Sequence, residues 1–162
     1  MTTVSVKPSL VYTTYIASTQ ERVWQAIVDP ALAREYWKGG DPKSPARVNV
    51  SDWKKGSTWE HRRADETQQV DVTGTVIESD PPRKLVMSWA RPKEVGDPTK
   101  HSTVTFEIES LNETLVKLVV IHDDLEKDPS MLNGVSNGWP LVLSNLKTFL
   151  ETGRSLPQNR VS

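Results

Sequence analysis

Histidine is the residue type in this sequence best suited to proton transfer near neutral pH, and the chain has three: His61, His101 and His122. His122 follows an apolar run and precedes Asp123-Asp124. Two interpretations of it stay open: a strand-end residue held by a backbone carbonyl or these carboxylates, or a proton donor at a cavity mouth. A cyclase or hydrolase that uses His61, His122 or a nearby carboxylate as acid or base is therefore one functional hypothesis.

A metal centre is not expected from these histidines. It would need at least three converging ligands, whereas no two histidines stand at close spacing and no HExxH-like motif occurs. The sequence has no Cys, which excludes disulfides, thiolate nucleophiles and cysteine metal sites. No segment resembles the GxSxG motif that presents a serine nucleophile. The sequence therefore identifies no catalytic residue, no metal ligand and no cofactor site.

Tryptophan is unusually frequent, with six residues in a chain of 162. This length suits one domain with a substantial core. The hydrophobic fraction is a modest 36%, but each Trp adds a large apolar area. The composition therefore favours either a bulky core or a cavity with aromatic walls.

The charges of the chain are balanced, with 20 Lys and Arg against 21 Asp and Glu and a formal net charge of −1. This balance provides no general field to attract nucleic acid or anionic lipid, so neither is an expected partner. The N-terminus lacks a basic segment followed by a long apolar run, and no stretch approaches the roughly 18 apolar residues of a membrane span. We expect a cytoplasmic location and no membrane partner.

The first strand is predicted at 10–16, where β-branched and aromatic residues dominate. Ser18 and Glu21 follow at the spacing of a capping box, which predicts a helix capped by Ser18. Its apolar stripe consists of Val23, Trp24, Ile27 and Val28. Asp29-Pro30 then ends this helix and begins a second, because proline is disfavoured after a helical residue but suits the first helical position behind an Asp cap.

Between Arg47 and His122, apolar and polar residues alternate with a period of two, as is typical of half-buried strands. Turn-forming clusters such as Asp80-Pro81-Pro82 interrupt the alternation. Six strands are predicted, at 46–51, 57–64, 70–78, 84–91, 102–110 and 113–121. Their connections are short, which favours antiparallel pairing, because parallel strands would need crossover segments of about a dozen residues or more.

A long helix is predicted at the end of the domain, from about Gly138 to Thr152. The apolar residues that fall on one of its faces are Trp139, Val142, Leu143, Leu146, Phe149 and Leu150. Gly153 suits a left-handed C-terminal stop. The polar segment 126–137 before this helix is predicted to be a loop. We therefore expect one domain over 1–153 and a flexible tail over 154–162.

Several segments, in a fixed order over 10–153, resemble one family. They are YIASTQERVWQAIVDP, Tyr36-Trp37, GTVIE followed by DPPRKLVMSW, STVTFEIE, LVKLVVIHDDL and GWPLVLSNLKTFLETG. In these motifs the chain resembles the bacterial stand-alone homologues of the activator of the heat-shock-protein ATPase. That family lies within the Bet v 1-like, START-like (SRPBCC) superfamily.

The resemblance implies an α+β helix-grip fold. In this fold a curved antiparallel sheet of about seven strands wraps around a long C-terminal helix, with two short helices between strands 1 and 2. Members of the superfamily bind apolar molecules such as lipids, sterols and polyketides between helix and sheet, and some are cyclases or hydrolases. The family's namesakes bind a chaperone and stimulate its ATPase. The implied partners are therefore an apolar small molecule or, as the alternative, a chaperone.

The period-two pattern predicts which side chains share the face of the sheet that meets the long helix. If this concave face is not packed solidly against the helix, it forms a pocket for an apolar or aromatic ligand, with a few polar groups to orient it. The candidate ligand-binding residues are Trp37, Trp59, His61, Met87, Trp89, Phe106, His122, Trp139 and Leu143. A solid core is the alternative for each of them.

Overall fold

The structure, a computed structural model, describes residues 9–38 and 43–157. Residues 158–162 of the expected C-terminal tail lie outside the described residues. The first part of that tail is attached to the domain, because the backbone N–H of Leu156 donates to Oδ1 of the buried Asn145 at 2.8 Å.

Seven antiparallel strands form one curved sheet in the order β1-β7-β6-β5-β4-β3-β2. The strands are β1 (Leu10–Ile16), β2 (Arg47–Ser51), β3 (Thr58–Arg63), β4 (Val70–Asp80), β5 (Lys84–Trp89), β6 (Ser102–Asn112) and β7 (Leu115–Asp123). Every predicted strand is present within about two residues at each end, and the α+β helix-grip fold is confirmed. The strands β1 and β2 are the edges of the sheet.

Two short helices connect β1 to β2: α1 (Gln20–Val28) and α2 (Pro30–Tyr36). Asp29 links them as predicted, because its side chain accepts from the N–H of Ala31 at 2.9 Å. The predicted cap of α1 was wrong. Thr19, not Ser18, caps this helix through its hydroxyl, which accepts from the N–H of Arg22 at 3.2 Å. Ser18 is buried instead.

The C-terminal helix α3 (Pro129–Thr152) is 24 residues long and begins nine residues before the predicted start. The predicted loop at 126–137 was therefore wrong over 129–137. Asp128 caps α3 by accepting from the N–H of Met131 at 3.1 Å, with Pro129 in the first turn. The low helix propensity of the glycines in this segment is overridden by packing of its apolar residues on the sheet. The predicted end was correct, since Gly153 adopts a left-handed conformation with φ 77°.

Pro140 lies inside α3 and removes one hydrogen bond from it. The missing N–H would have bonded to the carbonyl of Ser136, four residues earlier. The hydroxyl of Tyr12 in β1 donates to this carbonyl at 3.3 Å. The hydroxyl of Tyr12 thus bonds to the carbonyl that Pro140 leaves without a helical partner. This hydrogen bond links β1 to α3.

The core lies between the concave face of the sheet and α3. Five side chains of α3 are buried there: Trp139, Val142, Leu143, Leu146 and Leu150. They meet side chains of alternate residues in the central strands: Leu85, Met87, Val104, Phe106, Ile108, Val116, Leu118 and Val120. The predicted buried face of the helix is confirmed, except that Phe149 is only partly buried.

Gly74 lets β4 approach β5 closely. A Cβ atom at this position would lie 2.0 Å from the backbone oxygen of Ser88, so a larger residue would clash with backbone. The same oxygen accepts a hydrogen bond from Nε1 of Trp59 at 2.7 Å. Trp59 lies opposite Gly74 in the pairing of β3 with β4. The close approach therefore places a hydrogen-bond acceptor within reach of a fully buried indole.

Replacing Leu146 by Asp should destabilise the domain by more than about 4 kcal/mol, because it would bury an unpaired carboxylate against the sheet. Leu146 is 1% exposed. Ser144→Asp is the matched control on the exposed side of α3 and should change stability by less than about 0.5 kcal/mol. Chemical denaturation followed by circular dichroism measures both. A loss below about 1 kcal/mol for Leu146→Asp would contradict the buried position.

Candidate ligand-binding cleft

A cleft of about 120 Å³ lies between the first half of α3 and the concave face of the sheet. It is lined by Trp37, His61, Trp89, Gly134, Val135, Gly138, Trp139 and Val142. A wider groove of about 450 Å³ adjoins it. The cleft and the groove share four residues: His61, Trp89, Gly134 and Val135. The site therefore has a narrow aromatic part and a broader part toward the surface.

Four of the eight residues that line the cleft have aromatic rings. The centroid of Trp37 lies 4.9 Å from that of His61 and 5.6 Å from that of Trp139. The centroid of Trp89 lies 5.9 Å from each of those same two rings. Nε1 of Trp89 contacts the sulfur of Met131 at 3.3 Å, which holds this indole against α3. The rings are tilted or edge-to-face, arrangements that stabilise aromatic pairs.

The helical side of the cleft is formed partly by two glycines, Gly134 and Gly138. They stand one helical turn apart and therefore on the same face of α3. A Cβ atom built at either position would meet no atom within 4 Å. The absence of side chains at these two positions leaves the space of the cleft open.

His61 is a neutral ring in a defined tautomer. Its Nδ1 lies 2.7 Å from Oδ1 of Asn49, whose Nδ2 donates to the backbone oxygen of Ile27 at 3.4 Å. The amide oxygen therefore faces the imidazole, Nδ1 of His61 is the donor, and Nε2 carries no proton. Burial, and next the charge of Arg47, lower the pKa of His61 to about 3. The ring thus stays neutral at physiological pH.

His122 lies behind the cleft rather than at its mouth, and it is fully buried. Nε1 of Trp139 donates to its Nδ1 at 3.0 Å. Its Nε2 therefore carries the proton and donates to Oγ of Ser102 at 2.7 Å, and that hydroxyl donates to the backbone oxygen of Trp89 at 3.3 Å. His122 lies at the end of β7, as one prediction had it, but its predicted partners were wrong, since they are an indole and a hydroxyl. The predicted place at a cavity mouth was also wrong. Burial lowers its pKa to about 4.

The outer groove carries three arginines, and each is paired with carboxylate. The Nε atoms of Arg47 and Arg63 lie 2.8 and 3.2 Å from Oδ2 of Asp71. Arg91 contacts two further carboxylates, those of Asp128 and Glu94. Three positive charges thus face three negative ones. The groove therefore offers little net charge to attract an ion.

The structure brings four of the nine predicted ligand-binding residues together in the cleft: Trp37, His61, Trp89 and Trp139. Four others are buried behind its walls: Trp59, Met87, Phe106 and His122. Leu143 borders a different groove, between α3 and β1. Sequence reasoning missed Gly134 and Val135, because their segment was predicted to be a loop. It also missed Gly138 and Val142, which were assigned to the long helix but not to the cleft. The helical spacing of Met131, Val135, Trp139 and Val142 is the pattern that indicates them.

The described part of the chain contains neither a metal-binding cluster nor a helix that could span a membrane. In this part, no three side chains of His, Asp or Glu are grouped so that they could hold a metal ion. None of its helices has the combined length and apolar character that crossing a membrane requires.

A family model described as "Activator of Hsp90 ATPase homolog 1-like protein" matches residues 17–151. The chain belongs to this family. The match spans α1, α2, all strands after β1 and nearly all of α3, and it confirms the resemblance carried by the sequence motifs. No curated protein matches the chain.

Solved structures share the fold of this Hsp90-activator-like family member. An HSP90 activator from Plasmodium falciparum is 21% identical, with a TM-score of 0.67 over 88% of this chain and 95% of that one. The Aha1 dimer from Colwellia psychrerythraea is 15% identical, with a TM-score of 0.68 over 91% and 99%. A protein from Cytophaga hutchinsonii is 25% identical, with a TM-score of 0.66 over 91% and 96%. These similarities show the fold.

The two buried histidines should make this family member less stable in mild acid. Their pKa values are about 3 and 4 when folded, but about 6.5 when unfolded, so the unfolded chain binds protons first as the pH falls through 6.5. Between pH 7.0 and 5.5, the free energy of unfolding should fall by about 2.5 kcal/mol for the two together. Urea denaturation at both pH values measures this.

His61→Phe is the control for this prediction, because it removes one of the two titrating rings. In this variant the loss between pH 7.0 and 5.5 should be about half that of the wild type. Equal stability of the wild type at the two pH values would contradict the neutral, buried state of both histidines.

Proposed function

We propose that this protein binds a small apolar or aromatic molecule in the cleft between α3 and the concave face of the sheet. The observation that carries the proposal is the open space in front of Gly134 and Gly138. A glycine inside a helix costs about 0.5–1 kcal/mol relative to alanine. Gly134 is exposed and Gly138 half-buried, so the two positions open the cleft toward the surface beside four aromatic rings, which supports a binding role.

The size of the cleft supports a small ligand. An apolar cavity of about 150 Å³ is known to hold one benzene molecule. The inner cleft, at about 120 Å³, therefore suits a single ring, and a longer ligand would extend into the outer groove. The apolar walls provide the free energy of binding through burial of the ring and through ring contacts.

Toluene is a suitable probe of this function. Titration into ¹⁵N-labelled protein should shift the indole N–H resonances of Trp89 and Trp139 in a saturable manner, because both rings line the cleft. Gly138→Leu should weaken toluene binding at least ~10-fold by filling the cleft, with no loss of thermal stability, since its side chain enters open space.

Ser144→Leu is the matched control, because it adds the same side chain to the exposed side of α3. It should leave toluene binding unchanged. The proposal fails if toluene shifts neither indole, or if Gly138→Leu binds it as the wild type does.

Membership of the family supports a second function, interaction with an Hsp90-type chaperone. Two apolar side chains on the edge strand β1 are available for a protein contact, since Val11 is 58% and Tyr15 49% exposed. Both project to the convex side of the sheet, away from the cleft. Such a contact would therefore leave the cleft accessible.

The chaperone function predicts that this protein stimulates the ATPase of the purified Hsp90-type chaperone of its host. The double variant Val11→Lys and Tyr15→Lys should reduce the stimulation without affecting toluene binding. Absence of any stimulation by an excess of the wild-type protein would argue against this second function.

The cyclase or hydrolase hypothesis receives less support from the site. Both ring nitrogens of His122 are engaged, and the ring is fully buried. His61 reaches the cleft, but the described residues that line the cleft include no carboxylate and no nucleophilic side chain. Acid–base chemistry on a bound molecule would thus depend on one neutral imidazole.

A further inference from the structure

Two side-chain polar atoms of the cleft residues have no hydrogen-bond partner among the described residues: the donor Nε1 of Trp37 and Nε2 of His61. The contact with Asn49 uses Nδ1 as the donor, so Nε2 presents a lone pair. The orientation of the Asn49 amide is fixed in turn by the backbone oxygen of Ile27. Two buried groups outside the cleft thus hold this nitrogen in the acceptor state.

This nitrogen is accessible from the cleft although the ring of His61 is only 6% exposed. The buried polar side-chain atoms without a partner in the described part of the chain are Ser18 Oγ, Ser79 Oγ and Glu94 Oε2. Nε2 of His61 is not one of them. Since it has no protein partner there either, it must retain contact with the space that the ring borders, which is the cleft and the adjoining groove.

Apart from the indole N–H of Trp37, the other side-chain polar groups nearby are engaged within the described residues. The indole N–H groups of Trp89 and Trp139 bond to Met131 and His122. The arginines of the outer groove are paired with carboxylates. An acceptor in a small aromatic cleft therefore selects for a donor on the ligand, because an apolar ring that displaced water would leave the acceptor unpaired.

We propose that the cleft selects a neutral, single-ring phenol, whose hydroxyl donates a hydrogen bond to Nε2 of His61 while its ring packs between Trp37, Trp89 and Trp139. This inference rests on the proposed function, since it specifies the ligand class of the same cleft. The ring matches the volume of about 120 Å³, and a hydroxyl is the smallest donor that a ring of this size can carry.

The test compares phenol with toluene, which replaces the hydroxyl by a methyl group, and with anisole, in which the hydroxyl is methylated. Dissociation constants are measured by NMR titration for the wild type and for His61→Phe, which keeps an aromatic ring but removes the acceptor. The ratio of the toluene constant to the phenol constant should be ~3- to 10-fold larger in the wild type than in the variant. Anisole should behave like toluene.

The outcomes separate this inference from the proposed function. An equal toluene-to-phenol ratio in the wild type and in His61→Phe would overturn the role of His61 while leaving aromatic binding in place. Failure of all three probes to bind the wild type would overturn the proposed function and this inference together. Preferential binding of toluene or anisole by the wild type would overturn the phenol selectivity.

A measurement on the wild type alone keeps the inference testable if His61→Phe does not fold. The imidazole ¹⁵N resonances of His61 should show a protonated Nδ1 and an unprotonated Nε2. Saturation with phenol should shift the Nε2 resonance upfield, as expected for an acceptor that gains a hydrogen bond, whereas saturation with toluene should not. A protonated Nε2, or an Nε2 resonance that phenol leaves unchanged, would overturn the proposal.

Discussion

The position of α3 against the sheet depends on a chain of buried hydrogen bonds. It runs from the indole of Trp139 through the imidazole of His122 and the hydroxyl of Ser102 to the backbone oxygen of Trp89. Because these groups are buried, a lost partner would leave an unpaired polar atom, at a cost of about 1–3 kcal/mol. Two of the cleft walls, Trp139 on the helix and Trp89 on the sheet, are the ends of this chain. The width of the cleft thus depends on Trp89 and Trp139, which line it, and on His122 and Ser102, which do not.

Much of this fold follows from local sequence patterns. The alternation from Arg47 to His122 is sufficient to predict six strands, because a sheet with one buried face imposes a period of two. Asp29-Pro30 identifies the junction of α1 and α2 for a similarly local reason. Asp128-Pro129 has the same form, yet the segment after it contains Gly134, Gly138 and an internal proline, which disfavour a helix. Contacts with the sheet outweigh these propensities, and no local pattern measures such contacts.

The candidate site was only partly predictable. Alternation correctly assigns Trp59, His61 and Trp89 to the concave face, but it does not distinguish a residue that lines a cleft from one that lies behind it. That distinction depends on how deeply a side chain is buried. For Trp59, the close approach of β4 and β5 at Gly74 places a backbone acceptor where it holds the indole inside the core. For His122, the sequence neighbours Asp123 and Asp124 suggested carboxylate partners, whereas the actual partners come from β6 and α3. Hydrogen-bond partners that are distant in sequence cannot be identified from a single sequence.

The two glycines of α3 have a consequence for how this fold can change. The hydrogen bonds of a helix are made by its backbone, so substitutions at Gly134 and Gly138 leave the helix and its contacts on the buried face in place. The residues that determine the dimensions of the cleft are therefore largely different from those that stabilise the domain. A sequence can pass from an open site to a closed one through single substitutions that do not impair folding. Descendants of such a chain could therefore differ in the size of this cleft, or have no cleft at all, while the scaffold persists.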